Sequence, residues 1–124
     1  MNGEKEGYGE FYYPSGAMYK GELKNGYKEG YGVYTYSNGT VYEGEWKDNQ
    51  FNGFGTVYYA KGRMDQGEWV NDKLEGYAFI VYQNGDIYEG CMRNDIRDGY
   101  GCIYYKNGDI IERFWKNGTI ESKK

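Results

Sequence analysis

The chain has 124 residues, with 19 acidic and 15 basic side chains, no His, two Cys and a net charge of −4. Seventeen Tyr and 21 Gly, at a mean hydropathy of −0.97, leave too few aliphatic side chains for a thick two-layer interior. Without a basic run, nucleic acid is not an expected partner and anionic lipid is a weak one; without a signal-like or membrane-spanning stretch, a cytoplasmic protein is expected.

Taken in order, residues 7–17 read as one short strand, Gly7-Tyr8-Gly9 onward, ending in the turn Pro14-Ser15-Gly16. From Tyr19 a two-strand unit begins and then recurs. Tyr42-Glu43-Gly44-Glu45-Trp46 is its clearest first strand, Lys47 to Asn52 a charged link, and Gly53-Phe54-Gly55-Thr56-Val57-Tyr58-Tyr59 its second strand. The second strand closes in a turn with glycine at a fixed place: Ser37-Asn38-Gly39, Ala60-Lys61-Gly62, Gln83-Asn84-Gly85, Lys106-Asn107-Gly108.

The period is 23 residues without an insertion, as in Gly7, Gly30, Gly53, Gly76 and Gly99, or Tyr8, Tyr31, Phe54, Tyr77 and Tyr100. A period of that kind means one supersecondary unit stacked in a line. The expected fold is all-β: a single-layer antiparallel meander of tandem 23-residue β-hairpins, elongated and curved. Its organisation is a half-unit over 1–18, four units over 19–41, 42–64, 65–87 and 88–110, and a half-unit with tail over 111–124. Two strands per unit at ~4.8 Å each give a rod of roughly 50 Å.

Alternation places Tyr42, Gly44 and Trp46 on one face and Glu43 and Glu45 on the other. Tyr19 and Leu23, Asp65 and Trp69, Tyr88 and Met92, and finally Trp115 follow in the same columns. Type I′ turns of two residues at the Asn-Gly pairs are the favoured register. They would pair Tyr42 with Thr35 and Trp46 with Tyr31, adding Tyr31, Val33 and Thr35 to the aromatic face. Three-residue loops would bring Tyr34 and Tyr36 there instead.

Tyr-x-Gly-x-Trp, a link, then Gly-aromatic-Gly and a Tyr-x-x-Gly turn resembles the MORN repeat (membrane occupation and recognition nexus), over nearly the whole chain. The chain departs from that pattern in several places. Glu29, Asn52, Glu75 and Asp98 stand at the family's histidine, Asp65 at a tyrosine, Ala78 at a glycine, Cys91-Met92 at Glu-Trp, and Arg113 at a glycine. The resemblance implies an interaction module. Members of the family serve as cytoskeletal or ciliary scaffolds, hold a partner helix in the groove, bind membranes, or accompany a catalytic domain.

The chain itself carries no catalytic constellation. The Gly-x-Gly steps open strands and none extends to Gly-x-Gly-x-x-Gly; Cys91 and Cys102 read as free thiols; Asp95 to Gly99 lacks the ligand spacing of a calcium loop. No enzyme activity, cofactor or metal is expected.

The residues expected to bind a partner are the ring-bearing columns and their apolar neighbours: Tyr19, Leu23, Tyr31, Tyr42, Trp46, Phe54, Trp69, Tyr77, Tyr88, Met92, Tyr100 and Trp115. The competing account is that these rings only pack on one another. The expected role is a scaffold or assembly subunit of a cytoskeletal or ciliary complex, docking proteins on that face and, at its open end strands, another subunit, either a second copy in an end-to-end dimer or a member of a larger assembly. The alternatives are a peripheral phosphoinositide-binding module and a targeting module for an enzyme on another chain.

Overall fold

The computed structural model describes residues 7–120. They form eleven strands: β1 (Gly7–Tyr12), β2 (Met18–Lys24), β3 (Tyr27–Thr35), β4 (Val41–Lys47), β5 (Gln50–Tyr58), β6 (Met64–Val70), β7 (Lys73–Val81), β8 (Ile87–Arg93), β9 (Ile96–Tyr104), β10 (Ile110–Lys116) and β11 (Thr119–Ile120). Each strand pairs with the next in sequence, giving one open antiparallel sheet in meander order. The expected all-β, single-layer architecture is the observed one. Lys123 and Lys124, and the opening of the first half-unit, lie outside the described residues.

The two kinds of turn are exchanged relative to expectation. The charged link between first and second strand is a two-residue turn, not a loop of six. Both of its central residues have positive φ, as at Asp48 (51°) and Asn49 (69°), or Asn71 (49°) and Asp72 (73°), which is type I′ geometry. Asn and Asp tolerate this left-handed backbone better than other side chains.

The Asn-Gly turns are instead three-residue loops. Tyr36 N–H donates to Thr40 O at 2.7 Å, Gly39 N–H donates to Tyr36 O at 2.9 Å, and only Gly39 (98°) takes positive φ. That is a type I turn closed by a glycine bulge. The register moves with it. Tyr34 pairs with Tyr42, Gly32 with Gly44 and Tyr31 with Glu45. The favoured two-residue register, with Tyr31, Val33 and Thr35 beside Trp46, is not adopted.

A bulge breaks the pairing within each hairpin, between Gly44 and Trp46 for example, where β5 passes through Gly53 at φ 106°. Such an interruption bends a sheet and raises its twist.

The glycines pair with one another so that a ring can lie on them. Tyr42 reaches across Gly44 and Gly55 and donates its hydroxyl to Glu45 O at 2.8 Å; a Cβ at Gly55 would run into that ring. Tyr19 (to Glu22 O, 2.9 Å) and Tyr88 (to Cys91 O, 2.8 Å) repeat the arrangement. Trp46 and Trp69 then close over the rings, donating Nε1–H to Gly32 O at 3.2 Å and Gly55 O at 2.9 Å. Trp115 shares their column, but its Nε1 is buried without an acceptor.

Successive units are tied at the type I′ turns. Asp72 N–H donates to Phe51 O at 3.1 Å while the Asp72 carboxylate accepts Phe51 N–H at 2.8 Å. Asn49 with Lys28 and Asp95 with Leu74 make the same reciprocal pair. Glu29, Glu75 and Asp98 accept from the backbone of the next unit's turn, at Asp48, Asn94 and Asn117. Side chains that replace the family's histidine therefore serve as clamps between units.

Candidate interaction surface

A one-layer sheet has two faces, and the twelve expected residues divide between them. On the packed face lie Tyr19, Leu23, Tyr42, Trp46, Trp69, Tyr88, Met92 and Trp115, all buried except Leu23, which is half-buried. Tyr19, Tyr42 and Tyr88 are 0% exposed. Their rings cover one another: Tyr42 meets Phe51 face to face at 3.7 Å and Trp46 edge-on at 5.2 Å, and Phe51 meets Trp69 edge-on at 5.4 Å. Burial drives the phenols of Tyr19 and Tyr88 up to about 12 and raises that of Tyr42 further still.

Basic side chains also occupy this face. Lys28 and Arg97 stand where the other units carry Phe51 and Leu74. The Lys28 ammonium lies 5.2–5.7 Å from the ring centres of Tyr13, Tyr19, Tyr34 and Trp46, and burial lowers its affinity for the proton. Arg97 sits 4.6 Å from Trp115 and 5.0 Å from Tyr88. Cation–π attraction offsets the loss of water around both groups.

The third unit is different. Asp65 occupies the tyrosine place, buried, and accepts from Arg63 Nε at 2.7 Å and Nη2 at 3.2 Å. Burial opposes the Arg63 charge, but its bond to Asp65 outweighs this and holds the guanidinium more firmly protonated than usual. The Tyr59 phenol is raised to about 12, by burial first and Asp65 second. Beside this pair an open cavity of about 900 Å³ is lined by Phe51, Val57, Trp69 and Leu74 and rimmed by Tyr36, Tyr59 and Lys61.

The other face is open. Its register carries a row across the strands: Tyr8 opposite Glu22, Tyr31 opposite Glu45, Phe54 opposite Glu68, Tyr77 opposite Cys91, and Tyr100 opposite Phe114. Tyr31 (54%), Phe54 (54%), Tyr77 (60%) and Tyr100 (44%) are exposed, so these four are the expected residues that remain free to meet a partner. The glycine bulges make the row possible, because a Cβ at Gly30 or Gly53 would strike Glu22 or Glu45. Tyr100 donates to Glu112 at 2.7 Å, and that bond, ahead of burial, pushes its phenol up to about 12.

Sequence reasoning missed Tyr8 and Phe114, members of the same row. The turn column Asn25-Gly26, Asp48-Asn49, Asn71-Asp72, Asn94-Asp95 and Asn117-Gly118 was the available signal. It marks the type I′ turns and hence the register.

The MORN repeat family model matches residues 1–18, 19–41, 42–62, 66–87 and 88–110. The chain belongs to the MORN-repeat family. MORN repeats are non-enzymatic modules for interaction with proteins or membranes. No curated protein matches the chain. Among solved structures, the chain is similar to the SAS-4 (dCPAP) TCP domain of Drosophila melanogaster, determined in complex with a proline-rich motif of Ana2 (dSTIL). Identity is 17% and the TM-score 0.51, over 94% of this chain and 72% of that one. At that identity the likeness concerns the fold alone.

Proposed function

We propose that this MORN-repeat chain is a non-catalytic scaffold that holds another protein against its open face, as an assembly subunit of a cytoskeletal or ciliary structure in the cytoplasm. One observation carries the reading. The row of Tyr31, Phe54, Tyr77 and Tyr100 leaves four large rings in water on one side of a sheet whose other side is already packed. Large aromatic rings kept exposed along one line of a sheet mark an interface more often than a structural need. The SAS-4 domain, a related single fold, holds a peptide motif from another protein, which supports a protein as the occupant. The compartment rests on the roles of other MORN proteins.

The test is a photo-reactive amino acid placed at Tyr31 or Tyr100 in cells, with exposed Ser37 in a turn as the control. A discrete protein adduct from the first two and none from Ser37 is expected. Adducts confined to lipid, or equal from all three places, would overturn the reading.

A further inference from the structure

Resting on that reading, we infer that the occupant of the open face is a proline-rich, basic segment in the polyproline II conformation, laid across the strands along the aromatic row. Two features of the row carry the assignment: its pitch and its unpaired charge.

Consecutive rings lie two strands apart, about 9.6 Å for strands ~4.8 Å apart. A polyproline II helix has three residues per turn and ~3.1 Å rise, so it presents the same side every ~9.3 Å. Over three units the mismatch stays near 1 Å. An α-helix presents the same side after seven residues, about 10.5 Å, and drifts about 0.9 Å per unit. An extended strand covers 9.6 Å in about three residues, which turns every second anchor away. A periodic row of rings at this spacing therefore suits a threefold ligand best, and proline rings stack well on Tyr and Phe.

The charge points the same way. Glu22, Glu45 and Glu68 alternate with Tyr31, Phe54 and Tyr77 along the row. Glu45 and Glu68 are exposed, and among the described residues the one ion pair is Arg63 with Asp65, on the packed face. The row thus offers one free carboxylate in each of the first three units, with Cys91 at that place in the fourth, and each carboxylate suits a Lys or Arg in successive turns of the ligand. A second copy of the chain would bring an identical acidic row, and an anionic lipid surface would be repelled.

Calorimetric titration of the full chain with synthetic peptides tests this directly. (Pro-Pro-Arg)4 is expected to bind at least tenfold more tightly than (Gly-Ser-Arg)4, which has equal charge and length but no preformed polyproline helix; (Pro-Pro-Glu)4 is expected not to bind. Tyr31→Ala with Phe54→Ala should weaken the first peptide tenfold or more. Glu45→Gln with Glu68→Gln should weaken it and flatten its salt dependence. These side chains stand on the exposed face, so circular dichroism should show both double variants folded. Equal binding of the two Arg peptides, no binding of either, or binding to phosphoinositide vesicles instead would overturn the inference. A protein adduct at Tyr31 from a partner without such a segment would overturn this assignment and leave the scaffold function standing.

Discussion

The second and third units share a backbone plan yet are stabilised differently. In the second, Tyr42 lies flat over paired glycines, and Gly55 is glycine because the ring occupies the space of a Cβ. In the third, Asp65 replaces the ring and Ala78 the glycine, with Ala78 buried. The two departures belong together: once the ring is gone, a methyl group can occupy part of its space. What remains becomes the cavity beside Arg63 and Asp65. A repeat can thus exchange a ring on glycines for an ion pair and a methyl without losing its register, since Asp65 still pairs with Val57 and Ile80.

Alkali should act most strongly on the units that keep a ring on glycines, as the first and fourth do with Tyr19 and Tyr88. The Tyr19 and Tyr88 phenols titrate near 12 when folded and near 10 when unfolded, so the folded state holds the extra protons between those values. Their contribution is fully present below pH ~10 and is lost as pH rises toward ~12. Urea unfolding followed by circular dichroism should show a midpoint that falls steeply across that window.

Tyr42→Ala comes next, with a loss of about 3–5 kcal/mol in chemical denaturation, because the ring is fully buried and donates a hydrogen bond. Gly55→Ala should cost about 1–3 kcal/mol by forcing the Tyr42 ring aside, whereas Ala78→Gly should cost only about 1 kcal/mol. Equal costs at the two positions would break the comparison.

Asp65→Tyr sharpens it further. Alone it should destabilise, and combined with Ala78→Gly it should recover, with a coupling of about 1–3 kcal/mol in a double-mutant cycle. Strict additivity would show that ring and methyl do not compete. At the small end, Tyr31→Ala on the open face should change stability by less than about 0.5 kcal/mol.

Much of the fold was legible in residue spacing: the 23-residue period, the meander, and the column of Trp46, Trp69 and Trp115. The register was harder to read. Ser37-Asn38-Gly39 carries the dipeptide of a type I′ turn, but Gly39 serves as a bulge after a type I turn, and Asp48-Asn49 takes the type I′ geometry without any glycine. A shift of one residue turns every side chain over. That shift is why Tyr31, Phe54, Tyr77 and Tyr100 lie on the face opposite Trp46. The pairing of glycine with glycine, Gly32 with Gly44 with Gly55, was a further clue, because only this register lets a ring cross both strands.

The ties between units join each turn to the strand before it, Asn49 to Lys28, Asp72 to Phe51, Asp95 to Leu74 and Gly118 to Arg97, and at the first three the earlier residue's N–H donates to the later side chain in return. Each hairpin leaves its own second strand incomplete until its successor arrives to bond it. On a ribosome, where the earlier residues emerge first, the array would therefore close one module behind the exit, each newborn hairpin locking the one before it.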